Sequence, residues 1–301
     1  MNLNKIKGNT YYIDAPTNIG IYIFKNKNCL LIDTGIDKSA AKKEDELIIK
    51  NNLHPKYIIN THSHFDHCGG NLYFTENYPG CEVYASHAEK IFMQNPRLHE
   101  AILFSSNPIK ILDIQRKGIS DIYELEYGIN KINNEKFEVI PLKGHSFEQI
   151  GIITPEKVCF TGDSIFSDEI LQKYSFPYLY NIEEELATLQ SIKNIDADYF
   201  VISHSKKILS KDEISLLAQK NIDNINNYIE EFMDLLEQPL TREDLAENLT
   251  LLNNLTPDFR EYHINFSSIS AFLTYMYDKG MIDYSVENGK LYYFIKKSGI
   301  I

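Results

Sequence analysis

The run Thr61-His-Ser-His-Phe-Asp-His-Cys-Gly-Gly70 places His62, His64, Asp66 and His67 within six consecutive positions. Imidazole and carboxylate together suit zinc and related borderline metals. A lone histidine is usually a packed or solvated side chain, but four donor-type residues in so short a stretch reverse that expectation. The run just before it, Tyr57-Ile-Ile-Asn60, reads as a short buried strand, so the donors fall on a loop at a strand's end.

Upstream, Thr10 to Thr34 carries strand-like runs broken by Pro, Asn and Gly, which predicts a β-meander, and Lys38 to Asn51 reads as a helix. Downstream, Ser86-His-Ala-Glu89 has the spacing of a capping box opening a helix. Residues 95 to 130 mix Pro96, Pro108 and Gly118 with apolar pieces and predict a partly helical cap. Strands return at 137–142, 150–154 and 157–161, then a helix over Ile182 to Ile192 and a strand over Tyr199 to Ser203. This alternation favours a layered α/β protein. Three more donor-bearing loops each follow one of these strands: Gly144-His145-Ser146, Thr161-Gly162-Asp163 and Ser203-His204.

The H-x-H-x-D-H motif resembles the signature of the metallo-β-lactamase superfamily, and the later donors follow in the family's order over roughly residues 10 to 207. The resemblance implies an αββα sandwich. It also implies two divalent metal ions, zinc in the first instance, with iron and manganese suiting the same donors. His62, His64 and His145 would hold one ion, Asp66, His67 and His204 the other, and Asp163 would bridge them. The implied reaction is hydrolysis by a metal-bridging hydroxide, with Asp66 also orienting that nucleophile. Asp33, in Ile32-Asp-Thr-Gly35, resembles a position that supports a ligand from behind. The carboxylate at Asp163 departs from the commonest antibiotic-hydrolysing members, and His64 departs from the oxygen-reducing diiron members. The ligand set matches glyoxalase II and RNase Z. The chain has neither a long inserted nuclease domain nor a basic, glutathione-recognising C-terminal part, so neither name is assigned.

With 301 residues and 43% hydrophobic content, the chain can bury a full core. Its first residues lack an apolar segment behind a basic one, and no run is apolar for long enough to span a bilayer, so a cytoplasmic protein without membrane attachment is expected. Cys29, Cys68, Cys81 and Cys159 lie far apart with no C-x-x-C pair, as free thiols in a reducing compartment would. A net charge of -12 works against binding polyanions.

The chain divides at about residue 210: a catalytic domain over 1–210, then a linker helix and a small α+β domain over 211–301. Asp212 to Leu236 reads as a helix, Thr241 as the cap of a second and Ser267 as the opening of a third that ends at Gly280. Ile282, Tyr284 and Val286 alternate toward Asn288-Gly289, and Leu291, Tyr293 and Ile295 alternate away, predicting a hairpin. Three helices and a hairpin make a winged-helix-like pattern, and such a tail resembles a branch of the superfamily that includes single-strand-specific endoribonucleases. Residues 222 to 301 nevertheless carry six Lys or Arg against thirteen Asp or Glu, and the third helix offers little to a DNA groove. Packing against the catalytic domain, lining the rim of its site, or forming a homodimer uses Phe266, Phe272, Tyr275 and Tyr277 better.

The leading reading is metal-dependent hydrolysis of an ester, thioester or lactone in a small or medium substrate. One rival is a phosphodiesterase or endoribonuclease acting on single-stranded RNA, needing cations such as Lys110, Arg116 and Lys117 around its cleft. The other is a ligand-sensing, DNA-binding regulator. His99 is the one remaining histidine worth testing, and Phe166, Tyr174 and Tyr178 are candidate pocket walls.

Overall fold

The computed structural model describes residues 1–110, 117–174, 176–255 and 258–296. Its first sheet is hydrogen-bonded in chain order: β1 (Leu3–Lys7), β2 (Thr10–Ile13), β3 (Ile19–Ile23), β4 (Asn28–Ile32), β5 (His54–Ile59), β6 (Glu82–Ala85) and β7 (Ile122–Glu124). The second comprises β8 (Gly128–Ile132), β9 (Glu135–Pro141), β10 (Ile150–Ile153), β11 (Val158–Phe160), β12 (Tyr199–Val201) and β13 (Ile208–Ser210), adjacent in that order. Helices α1 (Lys38–Lys50), α2 (Phe65–Cys68), α3 (Asn71–Asn77), α4 (His87–Gln94) and α5 (Arg97–Phe104) belong to the first half. The second half carries α6 (Asp168–Lys173), α7 (Ile182–Ile192), α8 (Lys211–Leu235), α9 (Arg242–Asn253) and α10 (Phe259–Asp278), then the hairpin β14 (Ile282–Glu287) and β15 (Lys290–Ile295).

Central strands of the two sheets are apolar on both faces because both faces are covered. Along β4, Leu30 and Ile32 point between the sheets, where they meet Phe137, Val139, Ile152 and Phe160. Leu31 points the other way, into a layer closed by Ala41 and Ile48 of α1 and by Phe74 of α3. On β11 the alternation repeats: Val158 and Phe160 face inward, Cys159 outward. Gly20 is small because Phe160 leaves no room: a Cβ there would sit 2.5 Å from the ring. Each such fully buried side chain contributes about 1.5–3 kcal/mol of transfer free energy, so the alternation fixes which face each strand presents. The result is the expected αββα sandwich.

The outer face of the second sheet carries the C-terminal helices. Phe200 and Ile202 share one core with Ile192 of α7, Phe232 of α8, Leu249 of α9, Phe272 of α10 and Ile282 of β14. Phe272 stacks on Phe232 at 5.2 Å and on Phe176 at 5.6 Å, so the tail is built into the same hydrophobic core as the sheet above it. The hairpin forms in the expected register, with Tyr284 opposite Tyr293, Val286 opposite Leu291 and Glu287 opposite Lys290.

Three local expectations are corrected. The third C-terminal helix begins at Phe259, not at Ser267: the Asp258 side chain accepts from the N–H groups of Arg260 and Glu261, and Ser267 lies mid-helix. Ser86 occupies the N-cap of α4 without capping it, and its hydroxyl donates to Glu148 O at 2.7 Å. The free N–H of Ala88 goes to the Glu148 carboxylate, which releases Glu89 for another use. Finally, the region 95–130 supplies a helix, α5, and also the edge strands β7 and most of β8.

Candidate metal centre

All seven donors lie where strands of the two sheets end. β5 delivers His62 and His64, and the single turn α2 follows at once and turns Asp66 and His67 back toward the same point. Strong constraints hold this loop. The His67 carbonyl accepts from Thr34 N (2.8 Å) and Asn60 Nδ2 (2.9 Å), and Asn71 Nδ2 in turn donates to Asn60 Oδ1 at 2.7 Å. The two glycines that end the motif are required by close approach: a Cβ on Gly69 or Gly70 would lie 1.9 or 2.1 Å from the carbonyl oxygens of Ile36 and Thr34. His145 comes from the loop after β9, Asp163 from the turn after β11 and His204 from the end of β12.

The side chains converge as two groups whose donor atoms lie within 4.8 Å of one another: His62, His64 and His145 in one, Asp66, His67, Asp163 and His204 in the other. In the first, His64 Nδ1 lies 3.0 Å from His62 Nε2 and 2.9 Å from His145 Nε2. In the second, His204 Nε2 is 3.2 Å from Asp66 Oδ2 and 3.3 Å from Asp163 Oδ2, while His67 Nε2 is 3.3 Å from Asp163 Oδ1. Asp163 also reaches toward the first group, with Oδ2 3.8 Å from His145 Nε2.

Hydrogen bonds behind the rings fix their tautomers. His145 Nδ1 donates to Tyr178 O (3.0 Å), His204 Nδ1 to Pro16 O (2.9 Å) and His67 Nδ1 to Asp33 Oδ2 (2.8 Å). In the neutral ring each inner Nε2 is therefore a lone pair aimed at the centre, the arrangement that orients imidazole ligands. Two buried atoms here, His67 Nε2 and Asp163 Oδ1, have no hydrogen-bond partner among the described residues. They face each other at 3.3 Å as two acceptors, which is unfavourable unless a cation or a proton lies between them. The donor set and these orphaned acceptors fit two divalent ions of the zinc type.

Electrostatics separate the groups. Burial, reinforced by neighbouring imidazoles, pushes His62 and His64 well below the usual histidine range, and burial lowers His145 as well. Burial also opposes a charge on His67, but Asp163, Asp66 and Asp33 outweigh it and raise the ring well above its ordinary value. Asp163 raises His204 to about 10 against the penalty of burial. Burial disfavours ionised Asp66 and Asp163, yet the His67 and His204 rings hold both carboxyls low.

Asp33 sits behind the second group as the sequence suggests. Its backbone is left-handed (φ 64°), and its carboxylate accepts from Thr61 N and Thr61 Oγ1 as well as from His67. Glu89 performs the matching task for the first group. One carboxylate oxygen accepts from Ser63 N (2.9 Å) and Ser63 Oγ (2.5 Å), between His62 and His64. The other accepts from Ser146 Oγ (2.7 Å) and Glu148 N (2.9 Å), beside His145. No spacing rule reveals this role, because the first turn of a helix is an ordinary place for a glutamate. His99 lies with Nε2 3.1 Å from Ser63 O, next to the donors but outside either group.

The centre opens at the floor of a cleft of about 1740 Å³. Phe166, Tyr174 and Tyr178 line it, together with Phe92, Phe147 and, from α10, Phe259. Among the described residues Lys110 and Lys117 are not part of its wall, and Arg116 lies outside those residues. No helix among the described residues is long and apolar enough to cross a membrane.

Comparison with known proteins agrees with this architecture. A hydroxyacylglutathione hydrolase from Buchnera aphidicola is 28% identical over 212 residues, covering 70% of this chain and 71% of the relative. A second from Pelagibacter ubique is 26% identical and covers 79% and 94%. Hydroxyacylglutathione hydrolase GloC of Haemophilus influenzae is 31% identical, covering 48% of this chain and 64% of its own length. In fold, the chain is similar to a metallo-beta-lactamase family protein from Thermus thermophilus, with TM-score 0.75, 18% identity and 96% of this chain and 99% of that one covered. That coverage takes in the C-terminal helices as well as the sandwich. The model of the metallo-beta-lactamase superfamily matches residues 13–204, from the end of β2 to the last donor, and this chain belongs to that superfamily as a metal-dependent hydrolase.

Proposed function

We propose that the chain hydrolyses a thioester of small or medium size, with ester and lactone bonds within reach of the same chemistry. The observation that carries the reading is the pair of cation-demanding donor groups at the floor of a cleft whose walls are largely apolar and aromatic. Ten carboxylates line that cleft against four cations, Lys43, Lys173, Lys206 and Arg260, which suits a polyanion such as RNA poorly. The relatives named hydroxyacylglutathione hydrolase support a thioester in particular.

His62, His64 and His145 would hold one ion, Asp66, His67 and His204 the second, and Asp163 would serve both. Divalent ions in such a pair polarise a carbonyl oxygen and bring water toward hydroxide near neutral pH. Asp66 is about one-third exposed to the cleft and makes its contacts to Thr17, His67 and His204 through Oδ2, which leaves Oδ1 to take the proton of the attacking water. The new C–O bond forms at the carbonyl carbon, the C–S bond breaks, and the proton on Asp66 passes to the departing sulfur, giving a thiol and a carboxylic acid whose remaining proton is released to solvent as the carboxylate forms. Tyr178, whose hydroxyl burial raises to about 12, remains a proton donor throughout the working range. Its ring lies 5.6 Å from that of His64 and 5.7 Å from that of His145, and its hydroxyl meets Ser267 of α10.

The test is turnover of an acetyl thioester, bis-p-nitrophenyl phosphate and single-stranded RNA by zinc-loaded protein. Thioester cleavage that Asp66→Asn abolishes with both ions retained supports the assignment. Cleavage of RNA or the phosphodiester without the thioester refutes it.

A further inference from the structure

The cleft has a second property that the chemistry at its floor does not require. Isolated apolar side chains at a protein surface need no explanation, but a concentrated set marks a binding site. Ile36, Ile102, Phe147, Tyr174 and Phe259 are each 38–53% exposed, and all five line this one cleft. They continue inward as a connected wall. Phe147 stacks on Tyr180 at 4.1 Å and touches Phe92 at 5.0 Å, and Phe166 lies 5.8 Å from the His145 ring. α10 brings Ile264 to the same wall beyond Phe259, so the C-terminal segment closes it.

The wall is asymmetric about the reacting centre. Phe92, Phe147, Phe166 and Tyr178 gather on the side of His64 and His145. Among the described residues the side of His204 carries no ring of that kind next to its donors: it offers the polar stretch Ser205–Lys206, the backbone around Pro16 and Thr17, the Ser167 hydroxyl on His204 O and, beyond Gly69, the aliphatic side chain of Ile36. A bond cleaved between the two sides would place an apolar group toward the first and a polar one toward the second. Pockets for compact ligands occupy about 300–1,000 Å³, and this cleft exceeds that range.

Resting on the thioesterase reading, we propose that the preferred substrate carries a long apolar acyl group, of about six carbons or more, bound along the Phe92–Phe147–Phe166 wall toward α10. The polar carrier thiol leaves on the His204 side. A second protein is a poorer occupant, because the apolar residues line the walls of a concavity that ends at the metal donors and do not form a protruding face. Burial of each added methylene strengthens binding about three- to fourfold until the wall is filled.

The experiment uses full-length, zinc-loaded protein and a saturated acyl series from two to twelve carbons on one fixed thiol, with a matching series of free carboxylates titrated by calorimetry. The expected result is kcat/KM rising about threefold per methylene through the first six or more carbons, with carboxylate affinity rising in parallel. Phe147→Ala and Phe259→Ala should each flatten both slopes, and Leu251→Ala, an exposed apolar residue away from the cleft, should flatten neither. Rates and affinities that stay flat or fall with chain length overturn the proposal while an active acetyl thioester leaves the thioesterase reading intact. If no thioester is cleaved, the thioesterase reading fails and the carboxylate titration still decides whether the wall binds acyl chains.

Discussion

The two donor groups are neighbours with opposite electrostatics. His62, His64 and His145 form a set of imidazoles that burial keeps neutral, and Glu89 braces the set through Ser63 and Ser146. Asp66, His67, Asp163 and His204 form a set of mixed charge in which carboxylates drive protons onto the rings, and Asp33 braces it from behind. The first group's ring nitrogens meet one another at 2.9–3.0 Å with no carboxylate among them, so a cation can enter it without displacing a proton that an anion holds. The second can satisfy itself in part with protons. Loading the two should therefore differ in pH dependence and in which buried carboxylate controls it.

The largest effect is expected where the groups meet. Asp163→Asn removes an anionic donor that reaches both, so zinc content should fall at both and thioester turnover should drop by about a thousandfold or more, measured by elemental analysis beside kinetics. Loss confined to one group would show that Asp163 does not join them. Next come the braces. Asp33→Asn should weaken zinc binding at the second group by about 10- to 100-fold, and Glu89→Gln should do the same at the first. Cobalt titrations followed by absorbance distinguish the two, and equal losses at both groups in either variant would break the comparison.

Proton linkage gives a third, smaller effect. The second group's histidines are raised, His204 to about 10, so the metal-free protein carries protons there at neutral pH that an entering cation must displace. Affinity at that group should climb with pH between about 6 and 9, by up to tenfold per unit for each proton released, and the first group should show little change in that window. The sign for the metal-free fold is the reverse. A histidine raised above its unfolded value lends stability that is complete below about 6.5 and is lost as pH rises toward 10. Calorimetry in buffers of different ionisation enthalpy counts the protons.

The smallest effect lies behind the second group. Glu44 is buried beside Gly35, Oε2 has no partner among the described residues, and burial raises its carboxyl to about 8. As pH rises from about 4.5 to 8, the unfolded chain releases this proton before the folded one does, so the wild type loses stability across that window. Glu44→Gln should match the wild type near pH 4 and exceed its melting temperature by several degrees at pH 9.

Much of this contrast was legible in the sequence, for physical reasons. A donor that follows an apolar strand must sit at the sheet's end, and the alternation of Tyr284 with Val286 and of Leu291 with Tyr293 fixes a hairpin register without further information. Asp33 was readable because it follows β4 directly. Glu89 was not: its partners Ser63, Ser146 and Glu148 are far away in the chain, and the local pattern with Ser86 offered a cap that Glu148 supplies instead. Helix α10 started eight residues early because Asp258 caps it and the exposed, aromatic residues that follow do not mark a boundary. The cleft wall, assembled from α1, α4, α5, α6, α10 and the loops between them and the strands, depends on tertiary packing that no single stretch encodes.

The most direct test of the central claim is metal analysis of purified wild type beside His62→Ala and Asp163→Ala, with each sample assayed against one acetyl thioester. About two zinc, iron or manganese ions per chain in the wild type, reduced in both variants together with thioester cleavage, is the predicted result. A wild type that is isolated without metal and takes up none of the three on reconstitution would contradict the account.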